Sequence, residues 1–370
     1  MDSIYVNPAA KTWEARASTD LNLLVQSFHE KLPGFGVSPL VPMAELARDL
    51  GVKAVFVKDE SSRLGLPAFK ILGASWGAFR AIADLADNLS LDSSLEEVSR
   101  AVRRLGLSLY AATDGNHGRA VARMARILGV AASIYVPAFT DVHVQRNIEA
   151  EGAKVTVVPG NYDDAVAVAN AESRKVSGGL HVQDNAFDDY EKVPGYIIEG
   201  YSTLLREVEQ QLEQQGLKAT AMVTPIGVGS LGHAVTAYCK SSGRQIDVVA
   251  VEPETAACLH DNLRSGEFRS IETSKTIMDG MNCGTVSHIS WPILRQGVDV
   301  SVTICDRECH EAVEQLQKLG VHAGPCGAAS LAATKKVAVE LKDEHGIRLN
   351  GDSVVVLLST EGSRFYVVPE

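Results

Sequence analysis

Short runs of β-branched and aliphatic residues alternate along this chain with longer stretches whose apolar positions recur at helical spacing. The short runs predict strands and the longer stretches predict helices, because each type of element buries its apolar side chains with its own period. The predicted strands are 52–58, 107–113, 131–136, 155–158, 221–226, 247–251 and 354–359. The predicted helices are 69–86, 142–150, 162–175, 196–215, 309–319 and 328–341, with two more that begin at residues 116 and 233.

The last predicted strand, 354–359, is almost wholly apolar, with the sequence Val-Val-Val-Leu-Leu-Ser. Such runs are typical of parallel strands that are buried on both faces. The alternation of strands and helices therefore predicts an α/β fold with helices on both sides of parallel sheets. Ligands of such folds bind beyond the carboxyl ends of the strands, so we expect the functional residues in the loops that follow strands.

The loop 227–232, with the sequence Gly-Val-Gly-Ser-Leu-Gly, follows one of these strands and precedes a helix. Its glycines allow successive backbone N–H groups to converge on an anion, and the next helix presents its positive end. The loop is therefore a candidate phosphate cradle, to which Ser230 can add a hydroxyl donor. Its spacing also matches the GxGxxG pattern of dinucleotide folds, and Glu252 lies about 20 residues further on, where the ribose-binding acid is expected. A purely structural tight turn is the third interpretation.

The loop 113–118, Thr-Asp-Gly-Asn-His-Gly, also connects a strand to a helix. Its backbone N–H groups could hold a carboxylate, and Asn116 offers a side-chain donor. The alternative is that Asp114 or Asn116 merely caps the helix. A cap needs only one such residue, so a run of five turn-forming or polar residues favours a binding loop.

Lys70 lies among apolar residues near the start of a predicted helix, in the segment Pro-Ala-Phe-Lys-Ile-Leu-Gly. Desolvation and the positive helix end both favour the neutral amine that imine formation requires. A lone Lys is more often a solvated surface residue. However, a phosphate cradle, a carboxylate-binding loop and an imine-forming Lys are together what a pyridoxal phosphate enzyme needs, whereas a dinucleotide enzyme has no use for such a Lys.

Five segments carry a resemblance to a known family: KDESSRLGLPAFKILG (58–73), TDGNHGR (113–119), QDNAFDDYEKVPGYIIEGY (183–201), the stretch 276–292 with TIMDGMNCG and a following Trp-Pro, and STEG (359–362). The chain resembles the fold-type II pyridoxal phosphate enzymes, the tryptophan synthase β-like group, and within it the diaminopropionate ammonia-lyases. The form Asp-Gly-Asn-His-Gly is more discriminating than the glycine loop, because the wider fold type usually has Ser at the position of Asp114.

The resemblance implies a role for each matching residue, with pyridoxal 5′-phosphate as the cofactor. Lys70 holds the cofactor as an imine, Asn116 hydrogen-bonds its ring hydroxyl, and Ser359 or Thr360 faces its ring nitrogen. The cofactor phosphate is expected on Gly227, Val228, Gly229, Ser230 and Leu231. The substrate carboxylate is expected on Thr113, Asp114, Gly115, Asn116 and His117.

Two acids, Asp114 and Asp184, are implied to act on the Cα proton from opposite faces of the substrate. Such a pair would explain tolerance of both enantiomers, and Lys70 is an alternative base for one of them. A surface or helix-capping Asp is the plain alternative for Asp184.

The implied reaction is α,β-elimination of ammonia from 2,3-diaminopropionate, or a similar β-substituted amino acid, which gives a 2-oxo acid such as pyruvate and ammonia. Two departures leave the substrate open. The segment 324–328 lacks an acidic residue that the bacterial ammonia-lyases carry nearby, and Pro67 replaces an expected polar residue. A β-replacement, a serine or threonine dehydratase reaction, and an inactive relative that binds an amino acid therefore remain alternatives.

The resemblance also implies two three-layer α/β domains with mainly parallel sheets and the cofactor in the interdomain cleft. We expect a smaller inserted domain at 76–189 that carries Asp114, and a larger cofactor-binding domain at 1–75 plus 190–370. Homodimers are usual for the fold type, so we expect a homodimer.

Composition narrows the class of partner and the compartment. The 370 residues include 35 Lys and Arg and 46 Asp and Glu, and the net charge of −11 gives no electrostatic reason to bind nucleic acid or a membrane surface. We expect no membrane span, since the sequence has no apolar run of about 18 residues. We also expect no secretory signal, since residues 1–14 lack a basic region followed by an apolar core. The six scattered cysteines are typical of a reduced, cytoplasmic protein, and Cys305, Cys309 and His310 lack a second ligand pair at zinc spacing. We therefore expect a small amino acid as substrate and no metal.

Overall fold

The computed structural model describes residues 2–15, 19–187, 189–341, 347 and 349–369, which form two compact units. The seven-stranded unit comprises Met1–Ser18, Val37–Ser62 and Leu204–Glu370, and the four-stranded unit comprises Thr19–Gly36 and Arg63–Thr203. Both are α/β domains built on mainly parallel sheets, which confirms the predicted fold class. The units differ in extent from the predicted domains, and the assignment of functional domains stays a prediction.

The elements are numbered in chain order. The strands are β1 Ile4–Val6, β2 Leu40–Pro42, β3 Ala54–Asp59, β4 Ser108–Ala112, β5 Ala132–Pro137, β6 Lys154–Val158, β7 Gly179–His181, β8 Ala221–Pro225, β9 Asp247–Pro253, β10 Val300–Ile304 and β11 Val354–Ser359. The helices are α1 Thr19–Glu30, α2 Ala44–Leu50, α3 Lys70–Ala83, α4 Leu95–Arg104, α5 Asn116–Leu128, α6 Val142–Glu149, α7 Tyr162–Lys175, α8 Lys192–Gly200, α9 Ser202–Glu213, α10 Ser230–Cys239, α11 Cys258–Ser265, α12 Trp291–Gly297, α13 Asp306–Lys318 and α14 Pro325–Glu340.

The larger sheet has the strand order β1-β10-β9-β8-β11-β3-β2. Its five inner strands run parallel, while the outer strands β1 and β2 are antiparallel to their neighbours. Every residue of β11 is buried, as the apolar run predicted. In its register, Val355 lies opposite Val55 of β3 on one side and Ala221 of β8 on the other.

The smaller sheet has the strand order β6-β5-β4-β7, and all of its strands are parallel. Helix α7 packs on this sheet through small residues, with Ala165 and Ala169 buried beside Tyr110 and Tyr135 of the strands. Helix α5 also packs against β4 and β5, and α3 packs against α5. Since α3 begins at Lys70, this stack of helices sets the position of the Lys70 backbone.

Glycines bring α3 and α8 unusually close together. A Cβ atom on Gly73 would lie 2.6 Å from the ring of Tyr201, and one on Gly77 would lie 2.5 Å from the side chain of Ile197. From the other side, a Cβ on Gly200 would lie 2.6 Å from the carbonyl oxygen of Leu72. The two backbones therefore touch where the helix that carries Lys70 begins, and a side chain added at Gly200 would meet the backbone of α3.

A substitution pair within α8 tests this contact. Gly200→Ala should lower the free energy of unfolding by about 1–3 kcal/mol, the usual cost of overpacking, because the added methyl group meets the backbone of α3. Gly195→Ala is the matched control, since its Cβ would meet nothing within 4 Å and Ala is the better helix former. Urea unfolding midpoints measure both. A Gly200→Ala protein as stable as the Gly195→Ala protein would contradict the close contact.

The predicted single helix 196–215 is wrong, because α8 ends at Gly200 and α9 begins at Ser202. The residue at the break, Tyr201, is fully buried, and its ring lies 4.9 Å from that of Phe69. A tertiary contact thus overrides a pattern that is helical throughout. Three other helices, α10, α13 and α14, begin three residues before the predicted starts, because their first turns consist of residues that the pattern assigned to loops.

Candidate active site

The loop 227–231 and Ser359 follow neighbouring strands of the larger sheet. Strands β8 and β11 lie side by side, but the chain leaves β8 toward β9 on one side and returns to β11 on the other. Where the connections diverge in this way, a crevice forms at the carboxyl edge of the sheet, and ligands of α/β folds bind there. The sequence placed these two candidate segments after strands, and the strand order now makes them neighbours.

The glycine loop has room for no side chains at its key positions. Gly229 is the N-cap of α10 and has a left-handed backbone with φ of 91°. A Cβ on Gly229 would lie 2.9 Å from a methyl group of Leu294, and one on Gly227 would lie 2.9 Å from the carbonyl oxygen of Gly280. The loop thus stays bare backbone at a helix N-terminus, which suits a phosphate group. Its wall is formed by the 276–283 segment that the resemblance had singled out.

Ser359 ends β11 fully buried, and its hydroxyl has no hydrogen-bond partner within the described part of the chain. A Cβ on Gly327 would lie 2.8 Å from this oxygen, so a glycine at the start of α14 leaves the hydroxyl uncrowded. Buried polar atoms are nearly always paired, and an unpaired one indicates a missing partner. The bare loop and the unpaired hydroxyl fit the phosphate and the ring nitrogen of pyridoxal phosphate. Thr360, also buried, is the alternative hydroxyl.

An ionic network holds these segments of the seven-stranded unit together. Glu361 accepts hydrogen bonds from the backbone N–H of Cys326, at 3.0 Å, and from Arg364, at 3.3 Å. Arg364 also pairs with Asp279 at 2.9 Å, in the wall of the glycine loop. Burial raises the pKa of the Cys326 thiol, and the charge of Glu361 raises it further. Cys326, which lies where the bacterial ammonia-lyases were expected to be acidic, is therefore a neutral thiol at physiological pH.

In the four-stranded unit, the loop 113–118 and Asp184 also follow neighbouring strands. Strand β4 leads to β5 on one side and lies beside β7 on the other, so the connections diverge at β4 and β7. The side chain of Gln183 spans the two strand ends, because its Oε1 accepts a hydrogen bond from the backbone N–H of Ala112 at 2.9 Å. Gln183 is fully buried, and its Nε2 donates a hydrogen bond to Oδ1 of the adjacent Asp184 at 3.4 Å, a role for which there is no local sequence signal.

Lys70 and Asp184 form an ion pair, with 2.6 Å between Nζ and Oδ2. Their side chains are 19% and 4% exposed. Burial raises the pKa of Asp184, but the ammonium charge of Lys70 and its hydrogen bond to the carboxylate oppose burial, and this pKa lies below its ordinary value. The partial burial expected of Lys70 is present. Its predicted neutrality is opposed by Asp184, since a carboxylate at this distance favours the ammonium form.

The loop 113–118 is not explained by helix capping. Gly115 is the N-cap residue of α5, so neither Asp114 nor Asn116 occupies that position. The backbone N–H of Thr113 donates a hydrogen bond to the carbonyl oxygen of Tyr135, and that of Gly115 donates to the hydroxyl of Thr113. Two of the five amides assigned to a substrate carboxylate are therefore already engaged within the protein.

His117 lies buried between the two strand ends. Its Nε2 donates a hydrogen bond to the carbonyl of Val182 at 2.8 Å, and its Nδ1 lies 3.8 Å from Oδ2 of Asp184. Burial lowers the pKa of His117, and although the charge of Asp184 opposes this effect, the net shift is downward. The imidazole is therefore neutral at physiological pH. The sequence assigned only the loop backbone at this position, because the contact with β7 depends on the fold.

Glu252 does not fit the ribose-binding role that the dinucleotide interpretation gave it. Its buried carboxylate accepts hydrogen bonds from the backbone N–H groups of Leu259, at 2.8 Å, and His260, at 2.7 Å, at the start of α11. Burial raises the pKa of Glu252 to about 7. This acid caps a helix, so the dinucleotide interpretation lacks the ribose-binding acid that it requires.

No group of three or more His, Cys, Asp and Glu residues in the described ranges could hold a metal ion. None of the helices in those ranges is long and apolar enough to cross a membrane.

Comparison with known proteins identifies the family to which the chain is similar. The family described as "Pyridoxal-phosphate dependent enzyme" matches residues 31–360. Diaminopropionate ammonia-lyase of Salmonella typhimurium is 32% identical over 356 residues, which cover 91% of this chain and 88% of the relative. A crystal structure of the Escherichia coli enzyme of that name, in complex with an aminoacrylate-PLP azomethine reaction intermediate, superposes with a TM-score of 0.86 at 29% identity and covers 97% of this chain and 93% of its own. L-serine dehydratase/L-threonine deaminase of Bos taurus is 27% identical over 75% of this chain and 86% of its own.

Proposed function

Because this chain belongs to the family of pyridoxal-phosphate dependent enzymes, we propose that it eliminates ammonia from 2,3-diaminopropionate, or a similar β-substituted amino acid, to give a 2-oxo acid such as pyruvate and ammonia. Its cofactor is pyridoxal 5′-phosphate, as predicted. The Lys70–Asp184 pair carries the proposal, because it places an amine that can hold the cofactor 2.6 Å from a carboxylate that can take up a proton. The ammonia-lyases that are similar over most of the chain support the choice of substrate.

The residues proposed to hold the cofactor belong to both units. In the seven-stranded unit, the loop 227–231 would bind the phosphate and Ser359 or Thr360 would donate to the ring nitrogen. In the four-stranded unit, Lys70 would hold the cofactor covalently and Asn116 would bind the ring hydroxyl. When bound, the cofactor withdraws electrons from the substrate and stabilises negative charge at Cα.

Asp114 and Asp184 are the proposed proton acceptors. They follow the neighbouring strands β4 and β7, so the carboxyl edge of one sheet presents both. Acting on opposite faces of Cα, the two acids would serve opposite enantiomers. Their negative charge would also attract the cationic side-chain amine of diaminopropionate, an interaction that strengthens as water is excluded.

Dehydration of serine or threonine is the second candidate function. The observation that favours it is the segment 324–328, where Cys326 is a buried neutral thiol and none of the five residues is acidic. A β-replacement, in which a second nucleophile adds after elimination, requires the same residues. The nature of the leaving group therefore separates the candidates.

A substrate panel tests the proposed function. We expect release of 2-oxo acid and ammonia to be fastest with 2,3-diaminopropionate and slower with serine and threonine of either configuration. O-Acetylserine with and without sulfide tests for replacement. Turnover that requires the added nucleophile would contradict the lyase function, and preference for serine or threonine would favour the dehydratase.

A glycine pair tests the phosphate loop. Gly229→Ala should weaken binding of pyridoxal phosphate about tenfold or more, because left-handed strain of about 1–2 kcal/mol is joined by overpacking against Leu294. Gly243→Ala is the matched control, since its φ is a similar 83° but its Cβ would meet nothing within 4 Å. Quenching of intrinsic fluorescence measures the affinity. Equal affinities of the two variants for pyridoxal phosphate would contradict the assignment of its phosphate to this loop.

We further propose that the protein is cytoplasmic and forms a homodimer. All six cysteines are free thiols, which suits a reducing compartment, and homodimers are usual for the fold type. Light scattering should give about twice the chain mass of 39.6 kDa. A mass equal to that of one chain would exclude the dimer.

A further inference from the structure

The His117 imidazole has one nitrogen engaged and one without a hydrogen bond. A carbonyl oxygen can only accept, so the contact of Nε2 with the carbonyl of Val182 places a proton on Nε2. In the neutral ring, Nδ1 then carries a lone pair. No partner within the described ranges hydrogen-bonds to Nδ1, and the residue is only 5% exposed. A buried basic atom is thus held 3.8 Å from Oδ2 of Asp184.

We propose that His117 is a positioning residue and proton acceptor behind Asp184, so that a proton taken up at Oδ2 of Asp184 passes to Nδ1 of His117. The inference rests on the proposed function, in which Asp184 accepts a Cα proton. Within the described ranges, two basic side chains lie beside Oδ2 of Asp184: Lys70, with Nζ at 2.6 Å, and His117, with Nδ1 at 3.8 Å. Since Lys70 is assigned to the cofactor, His117 is the remaining base beside this carboxylate.

The transfer is balanced within the pair. The O–H bond of the protonated Asp184 breaks, an N–H bond forms at Nδ1, and the products are a carboxylate and an imidazolium. The carboxylate is thereby restored for the next turnover. The two atoms are about 1 Å beyond hydrogen-bond length, a gap that side-chain rotation can close.

The neighbouring titratable groups favour this direction. Asp184 attracts the positive charge that His117 gains, whereas Lys70 opposes it. His181 on β7 does not compete for the proton, because burial lowers its pKa to about 3. Tyr190 also stays neutral, because burial raises the pKa of its phenol.

The tautomer of His117 is the first test and does not depend on activity. Nitrogen-15 NMR of the histidine side chains in the holoenzyme at pH 7 should show His117 with a proton on Nε2 and none on Nδ1. A His117→Gln spectrum assigns the signal. A proton on Nδ1 would overturn the proposal whatever the substrate is.

A double-variant comparison is the second test. His117→Gln keeps an amide donor for the carbonyl of Val182 but has no basic nitrogen. It should lower kcat about 10- to 100-fold for the enantiomer that depends on Asp184, with little change in KM. Combined with Asp184→Asn, it should cause no further loss, because the relay is already broken. A double variant whose kcat is reduced by the product of the two single-variant factors would contradict the relay.

The matched control is His29→Gln. His29 is also buried, and its Nε2 lies 2.9 Å from the carbonyl of Leu72, but Asp184 is not among the groups that act on it. Any decrease in kcat that His29→Gln causes should multiply with the decrease caused by Asp184→Asn in the double variant. If diaminopropionate is not a substrate, the proposed function fails by itself, and the comparison proceeds with the substrate that the panel identifies. If His117→Gln does not fold, correlation of the His117 ring with its own backbone resonances assigns the signal, and the tautomer of the wild-type protein decides.

Discussion

Replacing Lys70 with Ala should abolish turnover of every substrate in the panel, with a loss of at least about 10³-fold, because both covalent attachment of the cofactor and a proton-transfer group disappear. The purified variant should also lack the yellow colour of lysine-bound cofactor. Lys192→Ala is the control, since that amine also pairs with an Asp but is 69% exposed. Rates and absorption spectra of the two variants, measured side by side, check the assignment. A yellow, active Lys70→Ala protein would show that another residue holds the cofactor.

The same substitution should destabilise the apoprotein, since Asp184 there loses the ammonium group 2.6 Å away. We expect a loss at pH 7 between the ~1 kcal/mol of an exposed pair and the ~3–5 kcal/mol of a fully buried one. A depressed carboxyl pKa stabilises the fold above the unfolded pKa and ceases to do so as pH falls through the folded pKa. The difference between wild type and Lys70→Ala should therefore shrink in acid, and adding Asp184→Asn should restore part of the stability at pH 7. Unfolding midpoints at several pH values measure this.

Asp114→Asn should lower kcat about 10²- to 10⁴-fold for one enantiomer of diaminopropionate and leave the other much less affected. The amide is nearly isosteric with the carboxylate but cannot accept the Cα proton, so cofactor binding and colour should persist. Loss of the α-deuteron from labelled substrate, measured for each enantiomer, reports the step directly.

The control for this substitution is Asp141→Asn. Asp141 is exposed and caps α6 after β5 of the same sheet, and Asn is an equally good cap, so rates should not change. If Asp114→Asn slows both enantiomers equally, Asp114 orients the substrate and does not select a face. If it slows neither, the proposed role of Asp114 is wrong.

The sequence located the segments of the site but not their neighbours. Alternating patterns predicted the strands, and the rule that function follows strands directed attention to Asp114, the glycine loop and Ser359. Which strands are adjacent depends on the order of the sheet, so the pairing of β8 with β11, and of β4 with β7, could not be predicted. The same reason applies to Lys70 and Asp184, which are 114 residues apart in sequence and 2.6 Å apart in the fold.

The protonation states of Lys70 and His117 also could not be predicted from the sequence. A lysine among apolar residues predicted a neutral amine, because local sequence shows desolvation but not a partner carboxylate. For His117, the burial and the two neighbours that set its tautomer all come from other elements. The segment 183–201 was singled out only by resemblance, and Gln183, which fixes Asp184, has no local signature.

The glycine contact between α3 and α8 has a consequence for synthesis of the chain. Helix α3, which presents Lys70, is translated more than a hundred residues before Gly200 and Tyr201, the residues against which it packs. A nascent chain that stops short of α8 therefore has the lysine but lacks the surface that sets its position. Since long-range contacts of this kind form late, the position of Lys70 should be set only after the residues of α8 have left the ribosome. The loop 227–231 and Ser359 are translated later still, so stalled or truncated chains that end before Lys192 should remain colourless.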